Sequence, residues 1–471
     1  MVLLGLDKVP SSLELKVLLS GRVAFALISA LLVGYGLFNR LDELHKKYGP
    51  VVRINPREIS IADWRYYRPI YGDHKASFKD PKFYGAATFV GKGNIFQMTN
   101  VAEHSARRRL SANPYALQSI NHLEPLIRDK AGALVRRLIT GGSASPLGTA
   151  NAFELCGLYS FEVVCMAGFA RDFVSSSLDN DALLLMNAMD GSALTLIFDV
   201  ALPFLRFAGL GSKLPGFIGD CYRKRDFWED KTREMVDHLL NHSAQDDKYL
   251  LTPLIKGLDS FLGRKLTNEE LVEEAMGIMF AGSGTTSTTL TYMLYALSKP
   301  ENAHIQRRLR DEVRGLPDNV IALRNCTYVN AVIKETFRLY PTIISTLPRI
   351  LTEPLQVGPY VIPKGTVVGM QNFVHHRNPA VFPHPDQFSP KRWLKADEAM
   401  EASLTPFSIG RRGCIGQNLA WEEIYHAVNA IMRSEIEFRL GPEMQSWEME
   451  IEDRFNIAPK GRRLMLEVTR V

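Results

Sequence analysis

A capping-box start at Thr267, Asn268, Glu269 and Glu270 opens a helical pattern that meets no stop before Lys299 and Pro300. At 1.5 Å per residue this is about 46 Å of helix, long enough to cross a whole domain. The rest of the chain must pack around that rod. Its middle reads AGSGTTS, residues 281–287. Gly282 and Gly284 each cost about 1 kcal/mol relative to alanine in a helix interior, and the β-branched Thr285 and Thr286 add to this. Tight packing through small residues, close approach of a ligand, or a local break in the helical hydrogen bonds would each explain such weakness.

Most of the remaining sequence is helical by period, so the predicted fold class is mainly α with a minor β region. Residues 51–63 alternate on both sides of Asn55-Pro56, which predicts a β-hairpin. Residues 355–370 have strand character, with turns at Gly358-Pro359 and Pro363-Lys364-Gly365. Residues 23–38 (VAFALISALLVGYGLF) are apolar apart from Ser29 and would make about 24 Å of helix. Lys16 and Arg22 flank the run on one side; Arg40, Lys46 and Lys47 flank it on the other. A membrane anchor is the preferred reading over a signal peptide or a core helix. The expected layout is an anchor over residues 1–40 and one large catalytic domain over 41–471.

The net charge of +5 is spread among interspersed acids and bases, which excludes a nucleic-acid footprint. The densest basic cluster is Arg107, Arg108 and Arg109; it is either a solvated helix face or the seat of a buried anion. The five cysteines are widely spaced with no C-x-x-C pair, which argues against a disulfide framework and a structural zinc site. Cys414 differs from the others. Gly410, Gly413 and Gly416 surround it, Arg411 and Arg412 precede it, and a helix begins just after it. Glycines there supply positive φ and room for a flat ligand. A thiol at a helix N-terminus beside arginines is expected to have a lowered pKa.

Phe407, Gly410, Arg412, Cys414 and Gly416 fill the pattern F-x-x-G-x-R-x-C-x-G, and in this the chain resembles the cytochrome P450 family. The resemblance implies a long central helix over a haem b, with Cys414 in a proximal loop as the axial iron ligand. It further implies that Phe407 packs beside the thiolate and Arg412 pairs with a haem propionate. Arg108, His104 and Arg349 occupy other places where the family holds the propionates. Glu335 and Arg338, three apart on one helix, with Arg392 downstream, resemble the family's structural triad. Residues 281–286 resemble the family's [A/G]-G-x-[D/E]-T-T segment, with Thr285 at the proton-delivering threonine and Thr286 after it. Gly284 stands where the pattern has an acid. The relay would then use water, Thr286, Ser283 or the substrate.

The activity implied is a membrane-bound monooxygenase that activates O2 and oxidises an apolar small molecule, in the manner of fungal members from secondary metabolism. A desaturase, dehydratase or isomerase with the same cofactor is the alternative. No G-x-G-x-x-G fingerprint or flavin module occurs, so electrons from NADPH would come through a separate NADPH–cytochrome P450 reductase, with cytochrome b5 as a second donor. The implied location is the endoplasmic reticulum membrane, with the catalytic domain in the cytosol. Residues 76–98, 188–205, 343–347 and the turn near Phe455 are the implied pocket walls.

Overall fold

The computed structural model describes residues 41–470 except 73–74, 86, 174–178, 203 and 243–247. The apolar run 23–38 lies outside the described residues. Helices dominate, and the longest is the central helix Asn268–Ser298. Its start is the expected capping box. Glu270 N donates to Thr267 Oγ1 at 3.3 Å, and Thr267 N donates back to Glu270 Oε2 at 2.7 Å. It ends where Lys299 turns extended ahead of Pro300.

The helix is continuous through 281–287, so its glycines mark close approach rather than a break. A Cβ on Gly282 would lie 2.6 Å from Val164 Cγ2 on the neighbouring helix Ala152–Phe169. That helix packs along the central one more extensively than any other element. Among the described residues it is the one helix long and apolar enough to cross a membrane. With 72% of its apolar window buried, it is a core helix.

Two acids near the start of the central helix fix the chain that lies over it. Glu273 is fully buried; it accepts from Phe89 N at 2.8 Å, Val90 N at 2.6 Å and Asn94 Nδ2 at 2.6 Å. Glu274, next in sequence, pairs with Arg107 of the helix Val101–Ser111. Arg107 Nε also donates to Asp259 at 2.9 Å. The three clustered arginines therefore have separate fates. Arg107 is buried in ion pairs, Arg109 is exposed, and Arg108 reaches the cysteine loop.

The minor β part gathers segments far apart in sequence. β1 (Val51–Asn55) and β2 (Glu58–Ile61) form the predicted hairpin. β3 (Ser77–Lys79) lies at the far edge of the same sheet. β8 (Val367–Gly369) comes from the second predicted strand region and runs parallel to β2, while β5 (Arg349–Leu351) precedes that region and was not predicted; the sheet order is β1-β2-β8-β5-β3. The hairpin of β6 (Leu355–Val357) and β7 (Tyr360–Ile362) turns at Gly358-Pro359. β4 (Thr149–Asn151), β9 (Ile436–Leu440) and β12 (Met465–Arg470) make a three-stranded sheet. β10 (Ile451–Arg454) and β11 (Asn456–Pro459) form a hairpin through Phe455.

His375 and His376 are fully buried between the sheet and the segment before the cysteine loop, where they hold Thr405. Burial lowers the His375 imidazole to about 3. An unfolded histidine titrates near about 6.5, so between these values the unfolded chain takes up a proton that the folded chain refuses. The contribution of this group is present above that upper value and is lost as pH falls toward the lower one. In His375→Asn, the fall of stability from about pH 6 to about pH 5 should be shallower by about 1 kcal/mol per pH unit. Urea midpoints at a series of pH values measure this; an unchanged slope would contradict a neutral, desolvated imidazole.

Candidate active site

The cysteine loop is held by backbone hydrogen bonds and by one arginine from another helix. Cys414 N donates to Phe407 O at 2.8 Å, and Gly413 N donates to Gly410 O at 3.0 Å. Arg108 Nη1 donates to Gly413 O at 2.7 Å. Gly410 has φ +70°, and a Cβ there would lie 2.9 Å from Gly72 O. Ser408 is also left-handed, at φ +55°. The expectation that all three glycines supply positive φ is corrected: Gly413 and Gly416 have negative φ. At Gly413 a Cβ would make a tight contact, 3.2 Å from Gly410 O. Gly416 begins the helix Gln417–Arg433 and leaves room near Cys414 Sγ.

Cys414 is exposed, yet desolvation is the largest influence on its thiol. The thiol is thus open on one side and surrounded by protein atoms on the others. The expected lowering of its pKa is corrected too. Burial raises the thiol more than the Gly416 backbone hydrogen bond and Arg108 lower it. Phe407 holds Cys414 through its carbonyl, while its ring packs on Phe337 and Trp421 at centroid distances of 5.3 and 6.4 Å.

Ala281, in the middle of the central helix, is exposed, and Thr285 one turn on is half-buried. The two share a helix face, and Thr285 Oγ1 donates to Ala281 O at 2.9 Å. Thr286 lies about 100° further round and is buried. Ser283 is buried as well and donates to Met279 O at 2.7 Å. The structure thus brings Thr285 to an open face and puts Thr286 and Ser283 into packing.

Five basic side chains converge near the cysteine loop. A cleft there is lined by Tyr71, Ser77, Lys79, His104, Arg349 and Arg412. Arg349 Nη1 donates to Tyr84 Oη at 2.7 Å, and Arg412 Nη1 donates to Met98 O at 2.6 Å. Lys79 Nζ donates to Phe96 O and sits 4.2 Å from the Tyr84 ring centroid. Among the described residues no carboxylate pairs with Lys79, His104, Arg108, Arg349 or Arg412. Their mutual repulsion shows in their acidities. Burial, then Arg349 and Arg412, push Lys79 well below its ordinary value. Arg412 falls to about 10 through burial and Arg349. His104 falls to about 3 through burial, Arg412, Lys79 and Arg108, so it is a neutral imidazole. A buried knot of cations without an anion fits a group bearing carboxylates. Lys79 was not singled out in the sequence, because a lone lysine in a short strand gives no signal.

An aromatic cluster covers the central helix. Phe280 packs against Phe89 at 5.6 Å and Phe455 at 6.4 Å, and Phe96 meets Phe455 edge-on at 5.6 Å. Trp228 closes the group against Phe89 at 5.2 Å. Phe89, Phe96 and Phe455 belong to the predicted walls. Phe280 and Trp228 do not, although Phe280 directly precedes Ala281.

The predicted triad is assembled. Glu335, fully buried, accepts from Arg338 Nε and Nη2 at 2.9 Å each and from Arg392 Nε at 3.1 Å. Ser389 N and Trp393 Nε1 complete its shell. Arg338 also holds the carbonyls of His376, Pro385 and Gln387, which ties the helix Thr327–Leu339 to the segment leading toward the cysteine loop.

Comparison with known proteins agrees with this geometry. The family model "Cytochrome P450" matches residues 21–465. The cytochrome P450 monooxygenase orf2 of Aspergillus niger is 27% identical, over 91% of this chain and 87% of that one. The cytochrome P450 monooxygenases hkm5 of Aspergillus hancockii and TRI4 of Fusarium sporotrichioides are each 30% identical, covering 81% and 84% of this chain and 76% and 77% of their own. A retinoic-acid-bound cyanobacterial CYP120A1 has the same fold, with a TM-score of 0.74 over 91% of this chain and 93% of that one, at 17% identity. The names of the relatives favour a monooxygenase over a desaturase, dehydratase or isomerase. A haem-binding fold whose cysteine loop, buried glutamate triad and sequence all agree leads to one conclusion: the chain belongs to the cytochrome P450 family and is a haem-dependent monooxygenase.

Proposed function

We propose that this monooxygenase takes electrons from NADPH through a separate NADPH–cytochrome P450 reductase, with cytochrome b5 as a second donor. Its substrate is an apolar small molecule, an intermediate of fungal secondary metabolism. Residues 1–40 anchor it to the endoplasmic reticulum membrane, and residues 41–471 form the cytosolic catalytic domain. The observation that carries the reading is a desolvated yet accessible Cys414 thiol close to a knot of unpaired cations. Haem matches both features, since it carries an iron for the sulfur and carboxylates for the cations.

In this reading Cys414 Sγ would hold the iron, Gly410 would let the loop close against the backbone at Gly72, and Gly416 would leave space beside the sulfur. Arg108, Arg349 and Arg412 take the propionates, with Lys79 as a fourth cation and neutral His104 as a hydrogen-bond donor. When bound, haem supplies oxygen activation. The chain supplies the rest. Phe89, Phe96, Phe280 and Phe455 offer a dry apolar wall for substrate. Thr285 presents a hydroxyl on the open face of the central helix, where it can pass a proton. Exposed Arg411, beside the cysteine, suits an acidic surface on the electron donor. The aromatic wall and the fungal origin of the relatives support the substrate class.

Arg412→Ala should weaken haem binding by roughly ten- to hundredfold, as for loss of a charged hydrogen bond. The ratio of haem to protein absorbance after gel filtration measures this, and full retention would remove Arg412 from the propionate site. Thr285→Ala should leave haem content intact while more NADPH ends as peroxide. Unchanged peroxide per NADPH would remove Thr285 from proton delivery.

A further inference from the structure

Residues 88–90 are gripped by charged groups of both signs. Glu273 of the central helix takes the N–H groups, accepting from Phe89 N at 2.8 Å and Val90 N at 2.6 Å. Two arginines from other helices take the carbonyls. Arg206, in the helix Phe204–Phe207, donates through Nη1 to Thr88 O at 3.2 Å and to Thr88 Oγ1 at 3.0 Å. Arg225, in the helix Gly216–His242, donates through Nη2 to Phe89 O. The N–H and the C=O of Phe89 are thus both held by charge-assisted hydrogen bonds, which are stronger than neutral ones.

Asp199, in the helix Thr195–Ala201, orients the arginines. Its Oδ2 accepts from Arg225 Nη1 at 2.6 Å and lies 3.6 Å from Arg206 Nη1, while its Oδ1 accepts from Tyr222 Oη at 2.7 Å. The Arg225 and Asp199 side chains are only 5% and 7% exposed, so removing one partner strands the other without water. The Phe89 ring is confined as well. Trp228, three residues beyond Arg225 on the same helix, meets it at 5.2 Å, and Phe280 meets it at 5.6 Å. A Cβ on Gly277 would lie 3.8 Å from Phe89 Cε2. Gly277 is one turn before Ala281, and Ala281 is one turn before Thr285, so the ring stands on the helix face that carries both.

We propose that Asp199 and Arg225 are positioning residues for substrate selection: by fixing the Phe89 carbonyl they hold its ring as a rigid limit on the size of molecule that reaches the open face at Ala281 and Thr285. Neither residue touches the substrate. A wall that can shift admits an extra ring at small cost, whereas a wall fixed at backbone and ring rejects it. This rests on the reading of the aromatic cluster as the substrate wall.

The test needs no substrate. Imidazoles bearing no, one, two or three phenyl rings are the probes, because a free imidazole nitrogen binds haem iron and shifts the Soret band. Bare imidazole is too small to meet the wall, so its affinity should be the same in the parent, Arg225→Met and Asp199→Asn. In the parent, affinity should drop at a definite ring count. In both variants the ratio of dissociation constants across that step should fall about tenfold. Asp199→Asn keeps the shape of the side chain and removes the charge that orients Arg225. In a Phe89→Ala background, Arg225→Met should change the ratio no further, because the ring it positions is gone. A parent without such a step, or an unchanged ratio in the variants, would overturn the proposal. So would equal weakening toward every probe, bare imidazole included, or a full additional effect in the Phe89→Ala background. A parent whose Soret band ignores bare imidazole would overturn the haem-dependent reading too; a normal response with an unchanged ratio overturns the positioning role alone.

Discussion

The constraint on which the rest depends is a cysteine whose thiol is surrounded by protein and yet left accessible. A thiol in that position is raised in pKa, so the protein alone does not favour the thiolate. A metal ion does, because a coordinating thiol is deprotonated outright. The loop is accordingly made rigid by contacts that do not involve the sulfur. Phe407 O takes the Cys414 N–H, Gly410 is pressed against the backbone at Gly72, and Arg108 grips Gly413 O. The Glu335 network fixes the segment leading toward the loop. Breaking such a buried pair from one side leaves an uncompensated charge, which is why both arginines and the indole converge on one carboxylate.

Two kinds of buried charge can be told apart. Arg107, Glu274, Glu335 and Arg338 are closed within the protein by ion pairs. Lys79, Arg349 and Arg412 are desolvated beside one another, and among the described residues none forms an ion pair with a carboxylate. The first kind holds the fold. The second is the kind of site that favours an anionic ligand.

Legibility in the sequence followed how local each signal was. The capping box, the stop at Pro300 and the 51–61 hairpin rest on neighbouring residues, and each was legible. The Cys414 pattern packs five fixed positions into ten residues. Sheet pairing was not legible, because β2 and β8 are brought together by about three hundred intervening residues. The thiol was misread because sequence shows the arginines and the helix start but not the depth of burial. Gly282 and Gly284 look alike in the chain, yet one meets Val164 and the other Asn456, a partner some 170 residues away. Thr285 and Thr286 likewise look alike until helical phase puts one on the open face and buries the other.

The central claim is that Cys414 ligates a haem iron through its sulfur. The most direct measurement is the carbon monoxide difference spectrum of the reduced protein, taken beside Cys414→Ser. The account predicts a Soret band far to the red of that of a histidine-ligated haem, because a thiolate ligand alters the electronics of the iron, and predicts its loss on substitution. A protein without haem, or a band that survives in Cys414→Ser, would contradict it.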